Sequence, residues 1–154
     1  MKKLLSIFII LFISIGCTST DERDDIFKWK GTYVGDNSSV AGILNSLQNK
    51  DNLNGFELQT KEEPYGIILH YDDLSIKEDI LYNATFIFAL IHNADWITFT
   101  NGMQRTTITR SELHDWYGTN LNSKESTEDL VEMINRFSKD SRKIDELIET
   151  ENIE

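Results

Sequence analysis

Apolar positions change their spacing several times along this chain, and each change marks an element. An apolar run from Leu4 to Ile15, broken only by Ser6 and Ser14, follows Lys2 and Lys3. The pattern restarts at Ile26, with Phe27, Trp29 and Tyr33 as early anchors. Val40, Ile43, Leu44 and Leu47 recur at helical spacing, which predicts a helix over 38–48 started by the side-chain acceptors of Asp36-Asn37-Ser38. Residues 49–55 read as a turn-rich loop. Phe56, Leu58 and Thr60 then alternate with Glu57, Gln59 and Lys61 as in a half-buried strand. Glu63-Pro64-Tyr65-Gly66 is a turn, and Ile67 to Tyr71 returns as the partner strand, so 56–72 reads as a hairpin.

Asp79 to Asn93 is apolar on nearly every helical face, which predicts a helix buried against a sheet. Trp96, Ile97 and Phe99 with interleaved threonines predict a third strand, Asn101-Gly102 a hairpin turn, and Gln104 to Ile108 a fourth strand. Thr109-Arg110-Ser111-Glu112 fits a capping box ahead of Leu113, Trp116 and Tyr117, and Gly118 stops that short helix. Leu130, Met133, Ile134, Phe137, Ile144, Leu147 and Ile148 form one amphipathic stripe over 126–149, expected to pack back on the sheet. The predicted class is α+β: a small antiparallel sheet of about four strands in two hairpins, packed by helices on one face, plus a C-terminal amphipathic helix. The expected division is a signal segment at 1–17, a polar tether at 18–25, an α+β domain at 26–120 and an acidic helix at 121–154.

The lone cysteine gives the opening run its meaning. Twelve residues of helix, Leu4 to Ile15, rise about 18 Å, well short of the ~30 Å hydrocarbon core. The run therefore reads as the apolar region of a signal peptide with a charged start, and the lysines keep that start on the cytoplasmic side. Ser14-Ile15-Gly16-Cys17 resembles the lipobox of bacterial lipoproteins, with Ser14 where leucine is usual. That resemblance implies diacylglyceryl transfer to Cys17 and cleavage after Gly16. Two acyl chains anchor stably, whereas one is marginal. The tether 18–25 spans at most about 26 Å, holding the domain near the bilayer.

The charge balance narrows the partners. With 15 Lys+Arg against 26 Asp+Glu the formal net charge is −11, and loss of Lys2 and Lys3 makes it −13. Such a surface disfavours nucleic acid and anionic lipid, so the acyl chains would carry the membrane attachment. No second cysteine exists to form an intrachain disulfide.

Candidate chemistry is sparse. His70, His92 and His114 lack metal-motif spacing, and their default role is as surface or boundary residues. Asp72, Asp73, Glu78 and Asp79 offer oxygen ligands for Ca²⁺, but the run is better explained as a solvated helix start that complements the helix dipole. Tyr33-Val34-Gly35-Asp36-Asn37-Ser38 could seat an anion at a helix N-terminus, yet Asp36 already fills the capping role and repels anions. No nucleophile elbow selects among the serines and acids. Asn37-Ser38-Ser39 and Asn83-Ala84-Thr85 match the glycosylation sequon. Trp96 is out of phase with Ile97 and Phe99, which makes it the preferred residue of a contact surface, with Tyr65 and Asp36 as companions. No catalytic residue, metal ligand or cofactor is assigned, and the chain is not expected to be an enzyme.

Several strings resemble a DUF 4825-like family of short extracytoplasmic domains of unknown function. They are 33–40, Tyr-Val-Gly-Asp-Asn-Ser-Ser-Val, then 55–66 from Gly55 to Gly66, then 83–91 from Asn83 to Ile91, and Thr109 to Gly118. The resemblance spans roughly 30–120. It implies a small lipoprotein of Gram-positive bacteria, or the outer part of a sensor metallopeptidase, acting as a binding or sensing module of the cell envelope. No established catalytic residue comes with it, and this chain has no HExxH site. The alternatives are a small envelope hydrolase or metal-dependent enzyme using His70, His92 or His114, and a structural lipoprotein self-associating through 126–149.

Overall fold

The computed structural model describes residues 26–73, 77–149 and 151–153. Cys17, the apolar run before it and the tether 18–25 lie outside the described residues. Two hairpins stand side by side: β1 (Leu53–Gln59) runs antiparallel to β2 (Gly66–Tyr71), and β3 (Trp96–Thr100) antiparallel to β4 (Gln104–Thr109). Between them β2 and β3 pair in parallel. A parallel neighbour requires a long crossover, and α2 (Lys77–Leu90) provides it. A short β5 (Glu151–Asn152) adds to the outer edge of β4 opposite Gln104 and Arg105.

The sheet is thus mixed and five-stranded, in the order β1-β2-β3-β4-β5, where the sequence predicts an antiparallel sheet of about four strands. The reason is that turn signals report each hairpin locally, whereas the direction of the second hairpin depends on the path of the connecting helix. β5 is two residues of an acidic tail and has no apolar alternation to announce it. β1 also starts earlier than Phe56. A register shift between Leu53 and Gly55 absorbs Asn54, so pairing with β2 extends into the predicted loop.

One sheet face is the core face. Ile67, Leu69 and Tyr71 of β2, Ile97 and Phe99 of β3, and Thr106 and Ile108 of β4 are all buried. α2 lies in this core with Leu81, Ala84, Ile87, Phe88 and Leu90 buried, as its all-round apolar pattern predicts. Its polar members are satisfied. The Asn83 amide accepts from Gln48 N (3.1 Å) and donates to Gln48 O (3.0 Å) and the Tyr71 hydroxyl (3.3 Å). Thr85 shares a hydrogen bond with the Tyr117 hydroxyl at 2.9 Å. Burial pushes both tyrosines up to about 12. Asn83 is fully buried, which removes its sequon from the surface.

The remaining helices complete that layer. α1 (Asn37–Leu44) starts as predicted: Asp36 accepts from Ser39 N at 3.1 Å and from its hydroxyl at 2.8 Å. These bonds hold the Asp36 carboxyl below its ordinary value. α3 (Arg110–Tyr117) carries the predicted capping box, with Thr109 N donating to Glu112 at 2.8 Å and Glu112 N to the Thr109 hydroxyl at 3.2 Å. Gly118 ends it in the left-handed region at φ 66°, where glycine is favoured.

The predicted single helix over 126–149 is two helices, α4 (Thr127–Phe137) and α5 (Ser141–Leu147). Asp140 caps the second by accepting from Arg142 N at 3.2 Å. A fresh start signal inside the stripe re-aims the chain, so both halves reach the core. Leu130, Ile134, Ile144 and Ile148 are buried in the same apolar cluster as α2 and the sheet. Residues 121–149 therefore share one core with the residues before them.

Candidate functional site

Among the described residues the sheet's other face carries no helix, and its rows follow from the register. Gln59, Gly66, Trp96 and Thr109 align across four strands. The next row is Glu57, Ile68, Thr98 and Thr107, and the third is Gly55, His70, Thr100 and Arg105. Successive residues of a strand alternate faces, so these are the partners of the buried positions. Most of them are exposed or half-buried.

Trp96 defines the geometry of this face. A Cβ built on Gly66 would lie 2.1, 2.2 and 2.4 Å from three atoms of the Trp96 indole. The ring therefore lies down on the Gly66 backbone, and only glycine admits it there. The indole N–H donates to Pro64 O at 3.0 Å, which fixes the ring against the hairpin turn. Alongside, Gln59 Nε2 donates to Glu57 at 3.3 Å, and Glu57 Oε1 meets His70 Nε2 at 2.9 Å. Thr98 and Thr107 join hydroxyls at 2.9 Å.

The end of the sheet beside Trp96 is tied into a knot. Tyr65 N donates to the Asp95 carboxylate at 2.8 Å, and Asp95 N returns a bond to Tyr65 O at 2.8 Å. Arg110 N donates to Asp95 O at 2.8 Å. The Arg110 guanidinium then reaches Phe88 O (2.7 Å), Ala94 O (2.7 Å), Ile91 O (2.6 Å) and Asn122 Oδ1 (2.6 Å). The carbonyl of Phe88 is among those that the end of α2 leaves without intrahelical partners, and that of Ile91 follows directly, so a cation there satisfies both bonding and dipole. Burial lowers the Arg110 pKa, and Asp95 opposes that shift. Sequence reading places Arg110 only inside a capping box. Its reach back to α2 is a long-range contact with no local signal.

The structure scatters the other candidates. His70 pairs with Glu57 on the open face, His92 stands edge-on to Tyr33 with ring centres 5.4 Å apart, and His114 Nε2 accepts from Leu121 N at 3.2 Å. Each histidine thus has its own local contact. Asp72 accepts from Asn54 at 2.5 Å, Asp73 O accepts from Asn49 at 2.9 Å, and Glu78 and Asp79 lie in the first turn of α2. Among the described residues no three His, Cys, Asp or Glu side chains are grouped to hold a metal ion. Asp36 acts as a helix cap, apart from the row that holds Trp96, whereas Tyr65 adjoins that row through its backbone. Trp29 packs over Gly42, and Trp116 packs against Tyr117 and Phe137 at 4.8 and 5.3 Å, which leaves Trp96 as the tryptophan on the open face. A cavity of about 220 Å³ between α2 and α4 is lined by Gln48, Glu78, Tyr82, Val131, Ile134, Asn135 and Ser138. No helix among the described residues is long and apolar enough to cross a membrane.

The sequence model of a family described as "Domain of unknown function (DUF4825)" matches residues 26–112. That span covers the whole first four strands, both sides of the Trp96 row and the Asp95–Arg110 knot. No curated protein and no solved structure matches the chain.

Proposed function

The chain belongs to the DUF4825 family, and from that premise we propose that it is a lipid-anchored extracytoplasmic module that binds an envelope partner or ligand through the open face of its sheet. The observation that carries this reading is the sheet's asymmetry. One face lies in the apolar core that the described helices share, and the other presents Trp96 clamped on Gly66 beside the Gln59–Glu57–His70 line. A face without a core duty that nonetheless holds an immobilised aromatic has the character of a recognition surface. The anchor reading rests on Ser14-Ile15-Gly16-Cys17 behind a short apolar run. Binding or regulation is favoured over catalysis because, among the described residues, the Glu57–His70 pair at this face is hydrogen-bonded within itself and to Gln59 rather than to a hydroxyl. Self-association through the 126–149 stripe is disfavoured, since Leu130, Ile134, Ile144 and Ile148 are buried within the chain.

Intact-mass and peptide mass spectrometry of the membrane-extracted protein tests the anchor. The expected N-terminus is Cys17 bearing a diacylglyceryl thioether, and Cys17→Ala should release the protein from the membrane fraction. An intact Met1, or an unlipidated thiol, would overturn it. A photo-crosslinking residue in place of the exposed Thr107 tests the contact face on intact cells. An adduct at that position and none at the exposed Met103 of the β3–β4 turn is the expected result.

A further inference from the structure

We propose that the ligand of the open face is an uncharged glycan, with one sugar ring stacked on Trp96; this deepens the reading of that face as the contact surface and rests on it. The chemistry of the face selects the class. A pyranose ring has an apolar C–H side and a rim of hydroxyls, each both donor and acceptor. Its apolar side needs a flat aromatic surface, and its rim needs planar polar groups at the same level. The indole supplies the first. It lies against Gly66, and its N–H is already engaged by Pro64 O, so its orientation is set before any ligand arrives. The Gln59–Glu57–His70 line supplies the second. The Gln59 amide carbonyl and the remaining lone pairs of Glu57 stay available to accept from hydroxyls.

Charge excludes the competing classes of flat ligand. Glu57 hydrogen-bonds to His70, and Arg105 stands opposite Glu151 in register, so the face offers no basic field. The chain as a whole carries −11, which repels polyanions such as nucleic acid or phosphate-rich polymers that would otherwise stack or spread on such a surface. A neutral, hydroxyl-rimmed ring is the partner that suits both the aromatic and a face without a basic field.

The test titrates the full lipidated chain, in detergent micelles, with chitotetraose, cellotetraose and maltotetraose, followed by calorimetry. Saturable binding of at least one probe is expected, weakened about tenfold by Trp96→Ala and about threefold by Gln59→Ala, and unchanged by Met103→Ser at the distant turn. Gln59→Ala keeps the proposal testable if Trp96→Ala fails to fold. Binding that both variants leave intact would place the sugar elsewhere and overturn the proposal. Absence of binding by all three probes, together with a protein adduct from position 107, would overturn the glycan while leaving the contact face standing. Absence of both would bring down the contact face as well.

Discussion

The two faces of one sheet follow different rules. The helix-covered face is filled by Ile67, Leu69, Ile97, Phe99 and Ile108, each nearly inaccessible to solvent. The open face has Gln59, Glu57, His70, Trp96, Thr98 and Thr107, with Ile68 as its only aliphatic side chain in the three rows. Adjacent residues of the same strands supply both. The covered face gains stability from area removed from water, whereas the open face keeps polar groups and one aromatic at the surface. Substitutions on the two faces should therefore fail in different ways, and the size of each failure measures how separate they are.

The largest effect is expected on the covered face. Phe99→Ala removes a fully buried ring from the centre of the sheet, where Tyr71 stacks on it with ring centres 6.4 Å apart. A loss of about 3–5 kcal/mol by chemical denaturation is predicted. If the loss were under about 1 kcal/mol, the covered face would not be the core that burial implies. Arg110→Ala comes next, at about 3–4 kcal/mol. It withdraws charge-assisted donors from the carbonyls of Phe88, Ile91 and Ala94 and from Asn122 in one step. Arg110→Lys should recover little of that, because one ammonium cannot reproduce the planar fork. Full recovery would reduce the knot to a simple charge effect.

Gly66→Ala bears on the boundary between the faces. An added Cβ 2.1 Å from the indole forces Trp96 off the sheet, since the glycine is held in the ladder and cannot retreat. The expected stability loss is about 1–3 kcal/mol, accompanied by a red shift of tryptophan emission as the ring enters water. Fluorescence unchanged from the parent chain would mean that the clamp is not as described.

Much of this was legible in the pattern of residues. Period-two alternation identified the strands, Thr109-Arg110-Ser111-Glu112 and Gly118 bounded α3, and the phase of Trp96 against Ile97 and Phe99 put it on the opposite face. The parallel β2–β3 pairing was not legible, because it depends on where a 14-residue helix delivers the chain rather than on either hairpin. The break at 138–140 had a signal in Ser138 and Asp140, but the continuous apolar stripe masked it. Of the site, Trp96 could be singled out by phase alone. Its partners Gly66, Gln59 and Glu57 come from a different hairpin, so only the register joins them. Arg110 stood in a motif whose local meaning hid its distant one.

The smallest expected effect is a titration confined to the covered side. His114 lies on α3, where its Nε2 accepts from Leu121 N, and Leu121 is fully buried at the entry to α4. Burial, reinforced by the nearby Arg110 charge and opposed by Asp115, lowers its pKa below the ordinary 6.5. The unfolded chain therefore binds the proton more tightly than the folded one. Stability should fall as pH drops below about 6.5, and the decline should end once the folded imidazole is itself protonated and has lost its acceptor role. The imidazole is only half-buried, so the change should be smaller than that caused by Gly66→Ala. Denaturation midpoints from pH 8 to pH 5 should therefore drift less in His114→Gln than in the parent chain, the remaining carboxylates contributing equally to both. Amide exchange should loosen along α4 and α5 and leave the β2–β3 ladder protected at the same pH. Equal loosening of β2 and β3 would mean that the two faces respond as one unit, and the separation drawn from their composition would fail.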